Sequence, residues 1–153
     1  MPCHKTHLFG GGAAYILLMM PLARLCPSPA VGVEWFFFAL AGSLFPDVDI
    51  KSRGQRYFYL LVLASLIILY TEQRHALLAA TSIATLTPLL VKHRGVFHRW
   101  WFLAFICALM WYAGSSVNAT FGTTIGFDAL FFFAGALSHL LLDFGPNRAL
   151  RFR

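Results

Sequence analysis

Charge is scarce in this sequence, and negative charge is scarcer than positive. Of 153 residues, 12% are charged and only six are Asp or Glu, whereas 59% are hydrophobic. A soluble domain of this length needs polar side chains to cover its surface, but helices that face lipid do not. The composition therefore excludes an ordinary soluble domain and indicates an all-α membrane protein.

Cysteine is also scarce, and its pattern excludes two kinds of site. Cys3, Cys26 and Cys107 are odd in number and far apart, which fits neither a disulfide framework nor a thiolate metal site. The sequence has no continuous basic patch either, because its 12 Lys and Arg residues are dispersed between apolar runs. We expect membrane lipid as the partner of these cations, and no nucleic acid.

Six apolar runs organise the chain, at about 8–23, 30–45, 57–70, 76–91, 100–117 and 125–144. Several are shorter than the roughly 20 residues that usually cross a bilayer, so some segments need not span it fully. Pro46 disfavours helical geometry at the residue before it and should end the second helix. The pattern predicts one transmembrane domain over residues 1–153, a multi-pass bundle of about six helices.

The basic residues orient this bundle. With six crossings, ten of them fall on the side that carries both termini: Lys5, Lys51, Arg53, Arg56, Lys92, Arg94, Arg99, Arg148, Arg151 and Arg153. Only Arg24 and Arg74 fall on the other side. The positive-inside rule then predicts that both termini are cytoplasmic.

The residues able to bind a metal or move a proton gather on the same side. They are His7, Asp47, Asp49, His93, His98, His139 and Asp143. His139 and Asp143 are four residues apart, which places both on one helical face. Ionisable groups at a membrane are costly and usually serve a site, and their convergence from four segments favours a site over seven unrelated helix ends.

The stretch "HRGVFHRWW" at 93–101 has two interpretations. Arg99, Trp100 and Trp101 are typical of an interfacial anchor, whereas His93 and His98 could face the site across a loop at Gly95. Arg94 is open between the two roles. "FGGG" at 9–12 is similarly open between ligand approach and close helix packing, and packing is favoured in a membrane.

Four ordered motifs resemble one family across most of the chain. "THLFGGG", "GSLFPDVDIKSRG", "HRGVFHRWW" and "GALSHLLLDFGPN" are similar to the motifs of the YdjM-like small bacterial inner-membrane proteins, described as metal-dependent membrane-bound hydrolases. The resemblance implies that the seven His and Asp residues are ligands or catalytic groups, with Ser52, Arg94 and Ser138 beside them. Phe97 and Arg99 depart from the hydroxyl residues that the family commonly has around its second histidine.

We therefore expect a metal-dependent hydrolase at the cytoplasmic face of a bacterial inner membrane. His and carboxylate ligands favour a divalent metal, zinc or manganese first, as one or two ions that activate water. Asp47 or Asp49 would act as ligand or base, and Arg94, Arg99 and Lys51 could pair with phosphate oxygens of a lipid or lipid-linked substrate, which slightly favours a phosphoester. The alternatives are a metal-binding transporter and a noncatalytic scaffold with a structural metal; the oligomeric state is left open.

Overall fold

The computed structural model describes residues 4–48, 53–90 and 97–145, and within these ranges every regular element is helical. Its six α-helices are α1 (His4–Leu22), α2 (Pro29–Leu44), α3 (Arg53–Thr71), α4 (His75–Leu90), α5 (Trp100–Val117) and α6 (Ala119–Phe144). The prediction of an all-α membrane bundle is confirmed.

Local sequence determines where several helices begin and end. The side chain of Ser28 accepts a hydrogen bond from Val31 N at the start of α2, and Pro29 occupies the first helical turn, where its missing N–H costs nothing. Pro46 lies in a short 3₁₀ turn, Phe45–Asp47, that ends α2 as expected. The α6 helix begins at Ala119, six residues before the predicted start, because Asn118 Oδ1 caps it by accepting from Phe121 N at 2.8 Å.

Five of the six helices are long and apolar enough to cross a membrane, namely α1, α2, α3, α5 and α6. The α2 helix reaches this length together with the turn Phe45–Asp47, whereas α4, described from His75 to Leu90, is not among the five. Large apolar side chains are widely exposed on the outer helices, among them Phe9 (80%) on α1 and Tyr112 (72%) on α5. These surfaces suit lipid contact.

The chain makes an even number of traversals. His7 near the start of α1 lies against Asp143 near the end of α6, and His98 just before α5 lies against Asp47 just after α2. We call this the His/Asp end. Arg74, after α3, pairs with Glu34 near the start of α2, which defines the opposite Arg74 end. Because residues 75–97 carry the chain from the Arg74 end back to the His/Asp end, the first and last described residues lie at the same end.

The α2 and α6 helices form the inner pair of the bundle. A Cβ added at Gly42 would collide with the backbone of Phe132, and one added at Gly135 would collide with the backbone of Ala39. These two glycines therefore allow the helix backbones to touch, as small residues do in membrane helix packing. Ala39 and Leu44 on α2 and Leu140 on α6 are fully buried beside this contact.

Candidate metal centre

Five of the seven predicted site residues meet at the His/Asp end. His7 comes from α1, Asp47 from the turn after α2, His98 from the turn before α5, and His139 and Asp143 from α6. His139 is the central member: its Nε2 lies 3.2 Å from Asp143 Oδ2 and 3.8 Å from Asp47 Oδ1. The structure thus joins segments that are up to 136 residues apart in the chain (143 − 7).

His139 has a fixed orientation and tautomer. Its Nδ1 lies 2.8 Å from the backbone oxygen of Ser43 in a fully buried setting. A carbonyl oxygen can only accept a hydrogen bond, so Nδ1 carries the proton and donates it. The Nε2 atom is then left to face the two carboxylates, which is how a second partner prepares a metal-binding histidine.

The inner half of the site consists of His7, His139 and Asp143. The rings of His7 and His139 stack in near-parallel planes, with 3.8 Å between centroids and 16° between planes. Both Nε2 atoms lie near the Asp143 carboxylate, His7 Nε2 at 3.5 Å from Oδ1 and His139 Nε2 at 3.2 Å from Oδ2. The side chains of His7 and Asp143 are only 2% and 7% exposed, so this half is closed to water.

The outer half consists of Asp47 and His98. Asp47 Oδ1 lies 3.3 Å from His98 Nε2, and their side chains are 34% and 19% exposed. The ring of His98 packs edge-on to Phe144, at 6.2 Å between centroids, and Phe144 is itself 45% exposed. The accessible side of the site therefore borders an apolar surface.

Several polar atoms of the site are buried without a hydrogen-bond partner among the described residues. They are His7 Nδ1, His139 Nε2 and Asp143 Oδ1. Buried polar atoms are normally satisfied, so the neighbouring exceptions at His139 Nε2 and Asp143 Oδ1 fit a ligand held between these two residues. The N to O separations of 3.2–3.8 Å agree with the roughly 3.4 Å between two atoms that bind one zinc ion tetrahedrally at about 2.1 Å.

Two overlapping sets of ligands result: His7, His139 and Asp143 on one side, and Asp47, His98 and His139 on the other. Within each set, one ligand atom per residue lies within 4.8 Å of the others. Both sets use His139, but its Nδ1 is committed to Ser43 and its Nε2 has one lone pair. His139 can therefore ligate one ion, so the described residues suit a single central ion better than two independent ones.

The remaining sequence predictions for this region divide into three groups. Asp49, His93 and Arg94 lie outside the described residues, as do Lys51 and Ser52. Ser138 Oγ donates to Gly135 O at 2.7 Å and so serves its own helix. Arg99 is exposed and its guanidinium lies 5.8 Å from the centre of the Trp101 ring, in keeping with an interfacial anchor.

The glycines of "FGGG" serve helix packing at two of three positions. A Cβ at Gly10 would lie 2.7 Å from Leu142 Cδ1, and one at Gly11 would lie 2.8 Å from Ser43 Cβ. At Gly12 there is nothing within 4 Å. Close packing of α1 on α2 and α6 is therefore the role of Gly10 and Gly11, as favoured from the sequence.

One member of the site could not be found from the sequence. The Ser43 carbonyl that orients His139 is a backbone atom 96 positions away, and every residue type supplies one. Only the close approach of α2 and α6 selects it.

A family model corresponds to nearly the whole chain. The model described as YdjM inner membrane protein matches residues 1–151. The chain belongs to this family. A YdjM family member is a multi-pass inner-membrane protein, in agreement with the five membrane-length helices. No curated protein and no solved structure matched the chain.

Proposed function

We propose that this YdjM family protein is a metal-dependent hydrolase that acts at the cytoplasmic face of the membrane on a lipid or lipid-linked substrate. The observation that carries the proposal is the buried cluster in which the Nε2 atoms of His7 and His139 lie 3.5 Å and 3.2 Å from the Asp143 carboxylate, with His139 Nε2 and Asp143 Oδ1 lacking a hydrogen-bond partner among the described residues. The geometry matches the donor chemistry, because imidazole and carboxylate together suit zinc or manganese.

The inner and outer halves of the site suggest different roles, metal binding for the inner half and proton transfer for the outer half. The closed half, His7, His139 and Asp143, would hold the ion, and Ser43 would keep His139 in the binding tautomer. A bound divalent ion would supply Lewis acidity, lowering the pKa of water from 15.7 towards about 7 and polarising a phosphoryl oxygen. The accessible Asp47 carboxylate would accept the proton of the attacking water, and His98, 3.3 Å from it, would stabilise that carboxylate or return the proton to the leaving group.

The surroundings of the outer half favour a substrate that is partly lipid. Phe144, Leu142 and Leu141, on the last turn of α6, are each more than a third exposed, so an apolar chain could lie beside the site. Exposed cations surround the same end, namely Lys5, Arg53, Arg56 and Arg99. Guanidinium groups pair well with phosphate oxygens, which supports a phosphoester over an amide or a carboxylic ester.

The test uses purified protein in detergent, with metal content and hydrolysis of a panel of phospholipids and polyprenyl phosphates measured together. We expect His139→Ala and Asp143→Ala to lower metal affinity and turnover by about 100-fold or more, since even residues that only orient ligands contribute 10–100-fold. His75→Ala is the matched control, because His75 is an exposed histidine at the start of α4. Turnover that both site variants retain in full would refute the hydrolase proposal, and bound metal without turnover would favour the noncatalytic scaffold.

One observation favours the transport alternative. Glu34 and Asp128 are both 2% exposed and lie inside the membrane-length helices α2 and α6, where a path for ions would need them. Metal uptake into proteoliposomes, abolished by His139→Ala in a protein without turnover, would support transport instead.

A further inference from the structure

A second group of ionisable side chains is buried at the Arg74 end, away from the candidate metal centre. Glu34 and Asp128 are each 2% exposed, and Arg74 Nη1 is paired with Glu34 Oε2. Asp128 precedes His139 by eleven residues on α6, which corresponds to about 16 Å along the helix. The group is therefore separate from the metal centre.

The unusual member of this group is Asp128. Both of its carboxylate oxygens are buried without a hydrogen-bond partner among the described residues, and the same holds for Glu34 Oε1. Asp128 is within electrostatic range of Glu34 and Arg74, and Glu34 is within range of Glu72 as well. Three unpartnered carboxylate oxygens thus lie in one enclosed region, where an uncompensated charge is strongly disfavoured.

The charges of the group identify what could occupy it. Glu72 is exposed and therefore solvated; among the buried acids, Arg74 neutralises Glu34, its partner in the ion pair, and leaves the carboxylate of Asp128 in excess. One positive charge would restore neutrality, whereas a divalent ion would leave an excess of the opposite sign. The available donors are carboxylate oxygens, which prefer hard cations over soft metals.

We propose that Asp128 and Glu34 form a binding site for a single monovalent cation, a proton or an alkali-metal ion, near the Arg74 end of the bundle. Two cavities lie beside this group without being lined by either acid: one of about 400 Å³ lined by their chain neighbours Trp35 and Phe127, and one of about 660 Å³ lined by Gln73 and His75. Arg74 lines both cavities and is 24% exposed, so the guanidinium that pairs with Glu34 is accessible from them. His75 contacts Gln73 and the ring of Tyr70 at this end.

The site can be tested on the wild-type protein with dicyclohexylcarbodiimide, an apolar reagent. A protonated carboxyl group adds its O–H across one C=N bond of the reagent, whereas an ionised carboxylate that holds a metal cation does not. Fragment-ion mass spectrometry of the α6 peptide, which also contains Asp143, then assigns the label to Asp128 and reports its occupancy, and the exposed Glu72 is the internal control. If the occupant is an alkali ion, sodium at about ten times its Kd should slow labelling about tenfold relative to choline at equal ionic strength.

Labelling that depends on pH but is the same in sodium and choline would identify the occupant as a proton. A second measurement tests the proposal even if the reagent does not reach the site. The unfolding midpoint of the wild type and of Asp128→Asn is measured as a function of pH and of sodium concentration. Glu72→Gln is the control. The amide replaces the carboxyl without a change in size, so this variant should fold and lose the dependence that the wild type shows. Identical pH and sodium responses in wild type and Asp128→Asn would overturn the proposal.

Discussion

Replacing Gly11 by alanine should separate α1 from α2 and impair metal binding at the proposed centre. The added Cβ would lie 2.8 Å from Ser43 Cβ, 2.7 Å from Ser43 Oγ and 3.1 Å from the backbone oxygen of Ala39. Rotation of the hydroxyl cannot relieve the first contact, because Ser43 Cβ is attached to the α2 backbone. The helices must therefore move apart by about 0.7 Å to reach a normal separation of about 3.5 Å.

This displacement has a cost in stability and a separate cost in metal binding. Overpacking of this kind destabilises a protein by about 1–3 kcal/mol, partly offset by about 1 kcal/mol from the better helix propensity of alanine. His7 lies one helical turn before Gly11, so a displacement of α1 would change its position relative to Asp143 and His139. Ligand distances tolerate only about 0.2 Å, so metal affinity should fall even in molecules that remain folded.

The neighbouring Gly12→Ala variant is the matched control, because a Cβ there meets nothing within 4 Å. We expect Gly12→Ala to be neutral or to stabilise by up to about 1 kcal/mol, and Gly11→Ala to be less stable than it by about 1–3 kcal/mol. Denaturant titration in detergent micelles measures the free energy of unfolding, and metal titration of the folded protein measures affinity. Equal stability and equal metal affinity in the two variants would refute the assigned packing.

Two further substitutions test contacts away from the metal centre. Asn118→Ala should lower the free energy of unfolding by about 1 kcal/mol, because the N–H of Phe121 loses its capping acceptor. Asn118→Asp should restore the stability. An unchanged free energy of unfolding in the alanine variant would contradict the assigned cap. Arg74→Ala should cost about 3–5 kcal/mol because it leaves Glu34 buried without its ion-pair partner. Arg24→Ala, at an exposed position on the same membrane side, should change stability little, and a similar loss in both variants would argue against the buried pair.

The helical fold could be predicted from the sequence because hydrophobic length and charge position both act locally. Each apolar run marks a helix, and Pro46 marks the end of α2. The apolar pattern predicts a start of α6 at 125, whereas the helix begins at Ala119, because its first turn is rich in polar residues and Asn118 caps it. The run at 76–91 predicts α4 closely, since the helix covers His75–Leu90.

The candidate site could be predicted as a set of residues but not as an arrangement. The charge and helix pattern predicts that His7, Asp47, His98 and His139 lie on one membrane side and form one site. The structure brings them together. The stacking of His7 on His139 could not be predicted, because it depends on how closely α1 approaches α6.

The buried acids at the other end could not be joined into one group from the sequence, for a related reason. Glu34 and Asp128 are 94 positions apart (128 − 34), and neither forms a motif with its sequence neighbours. Arg74 was interpreted only as a basic loop residue on the far side of the membrane. Both acids are buried on the two inner helices, α2 and α6, and Arg74 after α3 supplies the cation that pairs with Glu34.

The inner pair of helices explains how one small bundle can hold two buried polar groups. Each group takes a residue from α2 and one from α6: Glu34 and Asp128 at one end, Ser43 and His139 at the other. Between the two groups the backbones touch at Gly135 and Ala39, which leaves no room for water or lipid there. The segments outside this pair add further residues to each group: α1 supplies His7 at the His/Asp end, and the turn after α3 supplies Arg74 at the Arg74 end. A variant that disturbs α1 should therefore affect metal binding and spare Asp128, whereas one that separates α2 from α6 should affect both.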